Sequence, residues 1–193
     1  QGLALGLGLA GGAIPAVAAT EYTPTVLSQR ELTTLNALMA RLIPPDEKAG
    51  GAVEARAYIY IDRALGGRYA RYRTAYRDGL AALDQWAERA KFAGFAAMPA
   101  AEMDALIMRM ETGGVAGGGF ADGGRAFFNL VRGHTVEGFL ADPMYGGNHD
   151  FIGWQVLGFN GVQLFYSAEA QALNGKDDRP QRSIADFGGE PLP

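Results

Sequence analysis

What most restricts the fold of this chain is a succession of apolar stripes at helical spacing, each cut off by proline or glycine, with no stretch of alternating period between them. Ser28 followed by Glu31 reads as a capping box, and Leu32, Leu35, Met39, Leu42 and Ile43 then recur on one face until Pro44 and Pro45 end it. After Gly50 and Gly51, the spacing of Val53, Ala57, Ile61 and Leu65 predicts a helix over 53–65 that Gly66 and Gly67 terminate. Tyr69, Tyr72, Tyr76, Leu80, Leu83 and Trp86 predict a longer helix over 68–91, and Pro99 suits the first residue of a helix carrying Met103, Leu106, Ile107 and Met110. Over 125–141, Phe127, Leu130, Val131, His134 and Gly138 share one face, with Phe128, Thr135 and Phe139 beside it. That segment must end by Pro143, because the residue before a proline is driven out of the α region. No repeat of solenoid length is present, so the expected fold is mostly α: a compact helical single domain with irregular Gly-rich loops and an extended C-terminal tail.

Composition narrows the function. A chain of 193 residues, 48% of them hydrophobic, is long enough for one sizeable core and short for two. Its net charge of −4 argues against nucleic acid as a partner, since there is no overall positive field to condense on phosphates. The absence of cysteine excludes disulfides, thiolate metal sites, covalent c-type haem attachment and cysteine nucleophiles on this chain. The run GGVAGGGFADGG over 113–124 lacks the Lys-Ser/Thr ending of a P-loop and no strand precedes it, so it reads as a flexible or close-packed surface loop. No Gly-x-Ser-x-Gly elbow occurs, and Asp46 and Glu47 follow Pro45 in a loop without the marks of a matched acid and base.

The first residues, QGLALGLGLAGGAIPAVAAT, form an uncharged apolar run leading to Ala16, Val17 and Ala18, the small-x-small pattern that follows the core of an export signal. Residues 1–20 are therefore expected to be a signal of the mild, Gly-rich twin-arginine type, with paired arginines upstream of Gln1 and a mature start at Ala19 or Thr20. Gly11, Gly12 and Pro15 interrupt a run already short of the roughly 20 residues a membrane span needs. A buried Gly/Ala helix, or a leader retained as an anchor, are the alternatives.

The stretch DPMYGGNHDFIGWQ, 142–155, concentrates the unusual residues. Asp142 and Pro143 fit a turn, Gly146 and Gly147 supply backbone angles that a β-carbon forbids, and Asn148 can cap a short helix with Asp150 in its first turn and Phe151, Trp154 and Leu157 on its buried side. His134 and Glu137 stand three apart on a helix, but di-iron bundles require Glu-x-x-His twice and there is no second copy. His134 reads as a core histidine bonded to a backbone carbonyl; a metal held by His134, Asp142 and His149 is the alternative. Arg63, Arg68, Arg71, Arg73 and Arg77 are interleaved with Tyr69, Tyr72 and Tyr76, a composition that fits an interface and equally a solvated basic face over an aromatic core stripe. Beyond Gly161 the chain turns polar, with lone Ile184 and Phe187 and final prolines Pro191 and Pro193. Such a tail cannot fold alone, and is expected to be disordered or laid across another subunit with Ile184 and Phe187 as anchors.

The pattern from Leu38 to Pro44, followed by RGHTVEGFLADPMYGGNHDFIGWQVLGFNG from Arg132 to Gly161, resembles the gluconate 2-dehydrogenase subunit 3 family. The family's HT-x-EGF-x-DP-x-YGGN-x-D-x-x-GW core is matched at His134, Thr135, Glu137, Gly138, Phe139, Asp142, Pro143, Tyr145, Gly146, Gly147, Asn148, Asp150, Gly153 and Trp154, and the similarity covers roughly 32–161. The resemblance implies a non-catalytic small subunit of a periplasmic, membrane-associated dehydrogenase of sugars, sugar acids or glycosides. A flavoprotein large subunit with FAD would perform the oxidation, a multihaem cytochrome c subunit would carry electrons onward, and the small subunit would assist folding and co-export of a partner that lacks its own signal. With it, the expected organisation is a helical accessory-subunit domain over 21–161; the residues themselves point to an extended partner-binding tail over 162–193 and to no catalytic, cofactor or metal residue on this chain. Asp142, Pro143, Tyr145, Gly146, Gly147, Asn148, His149 and Trp154, with Tyr72, Tyr76, Ile184 and Phe187, are then expected to face the partner or set the shape. A stand-alone periplasmic metal protein and a chaperone that leaves after export are the competing classes. The glycine-rich insertion before Gly124 departs from the family pattern.

Overall fold

The computed structural model describes residues 22–117, 119–172 and 179–190; the expected export signal at 1–20 lies outside the described residues. Seven α-helices and several single 3₁₀ turns occur among them, with no strand, so the chain is a mostly α, single helical domain. None of the described helices is long and apolar enough to cross a membrane.

Helix α1 (Gln29–Leu42) starts where expected: the Ser28 hydroxyl accepts from the Glu31 amide and the Glu31 carboxylate accepts from the Ser28 amide at 2.7 Å, closing the capping box. Leu32, Leu35, Leu38 and Met39 are fully buried, each contributing about 1.5–3 kcal/mol of hydrophobic stabilisation. Helix α2 spans Ala57–Gly66, shorter than the predicted 53–65 at its start. Arg56 adopts a left-handed backbone (φ 54°), which no α-helix can contain, so residues 52–56 form turns instead. Val53 still reaches the core from outside the helix. The predicted helix over 68–91 divides into a 3₁₀ turn, Ala70–Tyr72, and α3 (Arg73–Arg89). Tyr69, Tyr76, Leu80 and Leu83 are buried, whereas Tyr72 and Trp86 are half-buried.

Pro99 takes the capping position of α4 (Ala100–Thr112), one residue earlier than expected, and Met103, Leu106, Ile107 and Met110 face the core. Helix α5 (Arg125–Leu140) buries Phe127, Phe128, Val131, His134, Thr135, Gly138 and Phe139, which is more than one face. The reason is its position: α5 packs against each of α1 to α4, most extensively α2, and against the short α6 (Ile152–Leu157). It is the central helix of the domain. The glycine loop before it is close-packed at its two ends, where the buried Val115 donates its amide to the Gly123 carbonyl and a β-carbon at Gly123 would lie 1.9 Å from the Gly113 carbonyl oxygen, while Ala116 and Gly117 between them are exposed.

Two buried carboxylates tie segments together. Asp62 on α2 accepts from the Tyr22 hydroxyl (2.7 Å), the Thr25 amide and hydroxyl (2.6 and 2.8 Å), and the Val26 and Leu27 amides (3.0 and 2.8 Å). Burial alone would push this carboxyl up; the donors outweigh it and hold it below the usual carboxylate range. Asp84 on α3 accepts from Arg30, Thr34 and the Phe95 amide, joining α1 to the turn after α3.

The described part of the C-terminal segment is not the disordered tail that one expectation allowed: it has partners within its own chain. After α7 (Ala168–Gln171), residues 179–190 return to their own chain. The Val162 amide donates to the Arg182 carbonyl at 2.8 Å, and Ser183 and Ile184 dock on Asp142. A second capping box, Ser183 with Asp186, starts the 3₁₀ turn Ile184–Phe187.

Candidate functional site

An α-helix leaves its last carbonyls without helical partners, and the stretch 142–155 exists to meet those of α5. The Ala141 amide donates to the Glu137 carbonyl (2.7 Å), the Asn148 amide to Gly138 (2.9 Å), the Trp154 indole Nε1 to Leu140 (2.8 Å), and the Asn148 side-chain Nδ2 to Ala141 (2.9 Å). The Asn148 Oδ1 accepts in turn from the Gly153 amide at 2.8 Å, so one fully buried side chain closes the end of α5 and opens α6. The His149 amide donates to the Ala55 carbonyl at 3.0 Å, which fastens the knot to the turn ahead of α2.

The backbone needed for this is partly as expected and partly not. Gly146 has φ 98°, a left-handed conformation that favours glycine. Gly147 does not; its requirement is close approach, because a β-carbon there would stand 2.0 Å from the Gly138 carbonyl oxygen, and the same holds at Gly153 against Phe139 at 1.9 Å. Asn148 is itself left-handed (φ 46°), and its side chain caps the first turn of α6 from five residues before Gly153 rather than from the N-cap position. Phe151 is also left-handed (φ 60°), a cost of about 1–3 kcal/mol in an L-residue that its stacking on Trp154, 5.4 Å between centroids, helps to offset. Trp154 is buried and Phe151 half-buried as the helical reading implies, but Leu157 is 63% exposed: α6 stops after six residues, so its last turn has no neighbour.

A second cluster surrounds His134. Its ring stacks on Tyr69 at 4.2 Å and 3° and on Tyr76 at 5.8 Å, with Tyr72 edge-on at 5.3 Å. Nδ1 pairs with the Tyr76 hydroxyl at 3.0 Å, and this phenol replaces the backbone carbonyl expected as its partner. Burial pushes the imidazole down, Glu137 opposes that and Arg71 adds to it, so the ring is neutral at pH 7. Glu137 accepts from the Tyr69 hydroxyl at 2.5 Å and from Tyr60 at 3.2 Å. Burial, reinforced by Glu137, raises the Tyr69 hydroxyl; burial, the Tyr69 bond and Glu137 raise that of Tyr60, so both stay protonated. The cluster fixes α5 to α2 and to the turn before α3. Tyr69 and Glu137 are visible in the sequence as neighbours three positions from Tyr72 and His134, but nothing local marks Tyr60, which reaches Glu137 from α2.

The remaining candidates scatter. Tyr145 is half-buried in the 3₁₀ turn Pro143–Tyr145 that Asp142 caps through the Met144 amide (3.0 Å). Phe187 is half-buried under the Arg182 guanidinium, and Ile184 is 42% exposed. His134, Asp142 and His149 do not converge: His134 goes to Tyr76, Asp142 to Ser183 and Ile184, and His149 Nε2 lies 3.4 Å from Asp150. Among the described residues no group of three or more His, Asp or Glu side chains could hold a metal ion. The Asn148 knot closes the end of α5, and the His134 cluster locks α5 to α2 and to the turn before α3.

The family described as gluconate 2-dehydrogenase subunit 3 matches residues 29–161, from the start of α1 through the end of the Asn148 knot, and the chain belongs to that family. No curated protein and no solved structure shows significant similarity to it.

Proposed function

We propose, on the premise of that membership, that the chain is the non-catalytic small subunit of a periplasmic FAD-dependent dehydrogenase of a sugar or sugar acid, assisting the folding, co-export and stability of the flavoprotein. The observation that carries this reading is the fate of the motif residues. Asn148, Gly147, Gly153 and Trp154 are taken up in closing α5, and His134 is stacked among tyrosines. A chain whose distinctive residues build shape supplies geometry to a partner.

On this reading FAD resides in the large subunit, haem c in a third, and the membrane is reached through the complex. Residues 1–20 serve as the leader on which a partner without its own signal travels. The test is co-expression with the flavin-bearing subunit, with and without this chain. Stoichiometric co-purification and periplasmic flavin-dependent sugar oxidation only when the chain is present are the expected results. Reduction of a dye acceptor by the isolated chain with sugar as donor would overturn the proposal, as would full periplasmic activity of the flavoprotein in its absence. Dissociation of the chain once export is complete would make it a chaperone and not a subunit.

A further inference from the structure

The charge of this chain is unevenly placed. Residues 56–77 carry six arginines and one aspartate, with no lysine and no glutamate: a net +5 inside a chain of net −4, which leaves −9 on the rest. The single carboxylate among them, Asp62, is buried and saturated by the Tyr22–Leu27 segment. Arg30 and Arg41, by contrast, form ion pairs with acids on α3 and α4. Arg63, Arg68, Arg71, Arg73 and Arg77 are all exposed and none pairs with a carboxylate.

Three of these guanidinium groups are nevertheless held in place. Arg68 lies over the Tyr69 ring at 5.4 Å, and Arg71 over Tyr72 at 4.7 Å with a hydrogen bond to its hydroxyl. Arg73 donates to the Leu65 and Gly66 carbonyls at the end of α2. Arg73 and Arg77 then border an open groove of about 320 Å³ lined also by Thr25, Val26, Leu27 and Glu31, whose carboxylate already accepts from the Ser28 amide and hydroxyl. A planar guanidinium presents a fork that matches a carboxylate, and one already seated on an aromatic ring loses little freedom on binding.

We infer that this arginine–tyrosine face and its groove receive an acidic segment of the flavin-bearing subunit, an inference that rests on the function proposed above and names the surface it uses. Anionic lipid is the competing occupant. Interfacial membrane binding requires apolar side chains that insert below the headgroups, and none of the exposed large hydrophobic residues falls within 56–77. The face offers forks and rings, the composition of protein hot spots.

The test uses the co-expressed complex. In the triple variant R68E/R71E/R77E, which spares Arg73 because it caps α2, retention of the flavin-bearing subunit should fall at least about tenfold while the melting temperature of the isolated chain stays near that of the wild type. In separate Arg71→Lys and Arg77→Lys variants, carbodiimide should couple the new amine to Asp or Glu of the flavin-bearing subunit, mapped by mass spectrometry. A reversed variant that holds the partner as the wild type does overturns the inference. So does an intact complex that has lost only its binding to phosphatidylglycerol vesicles, which would assign the face to lipid. If the wild-type chain itself fails to assemble with the flavin-bearing subunit, the proposed function falls and this inference with it.

Discussion

The Asn148 knot and the arginine face show opposite uses of polar side chains. In the knot the amide of Asn148 and the indole of Trp154 face inward, Asn148 serving Ala141 and Gly153 and Trp154 serving Leu140, while Asp150 stays exposed. Over 56–77 the guanidinium groups face outward, ordered by rings and carbonyls but without a single carboxylate. Asn148 and Trp154, the most distinctive residues of that stretch, are thus committed to the chain's own backbone. The plainer basic segment retains unmet bonding capacity. In a protein that provides shape, the partner-facing surface is to be sought where polar groups lack internal partners, and not where the sequence is most unusual.

That contrast can be broken, starting with the largest effect. Replacing Asn148 by Ala leaves buried groups of Ala141 and Gly153 without partners, and at about 1–3 kcal/mol each the loss should approach about 4 kcal/mol in urea unfolding. Asp62→Asn should cost about 3 kcal/mol at pH 7, since charge-assisted bonds from five donors are weakened together. Its pH dependence gives the sign: a carboxyl held below its usual value of about 3.9 stabilises fully above that pH, and the stabilisation is lost as pH falls through the folded value. Acid unfolding below about pH 4 should accordingly be less steep in Asp62→Asn than in the wild type. Asp142→Ala removes the acceptor of Ser183 and Ile184 and should cost about 2 kcal/mol, with trypsin then cutting after Arg182 faster than in the wild type.

Trp154→Phe keeps the ring but leaves the Leu140 carbonyl open, for a loss of about 1 kcal/mol in the same urea titration. Smallest of all, Arg77→Ala should shift stability by no more than about 0.5 kcal/mol, because its side chain makes no bond that folding needs. A large destabilisation there would erase the distinction between the two regions. A knot variant that stays folded yet loses the partner would invert it.

The helices were legible because hydrophobic periodicity survives any tertiary arrangement: Leu32, Leu35 and Met39, or Met103, Leu106 and Met110, are inside for the reason their spacing gives. The α2 boundary was hidden because an arginine in the left-handed region, Arg56, leaves no compositional trace. Phe151 is the same case, whereas Asn148 belongs to a residue type known to tolerate that conformation. The turn at Asp142 and the need for glycine at 146 could be read locally. The need at Gly147 could not, since the atom that excludes a β-carbon belongs to Gly138, nine residues away on α5. His134 was legible as a core residue, but its partner Tyr76 lies 58 positions off, beyond what any local pattern encodes. Ser183 on Asp142 is hidden for the same reason, which is why the tail seemed to lack a partner within the chain.

The Asp62 clasp also has a mechanical side. Tyr22, Thr25, Val26 and Leu27 converge on one side chain of α2, and the Tyr22 hydroxyl, pushed up to about 12 by burial and by Asp62, keeps its proton through any physiological pH. Tension applied to whatever precedes Tyr22 therefore meets several bonds sharing the load before any of it reaches the first turn of α1. A pull from that side would strain an anchor point before it unravelled α1.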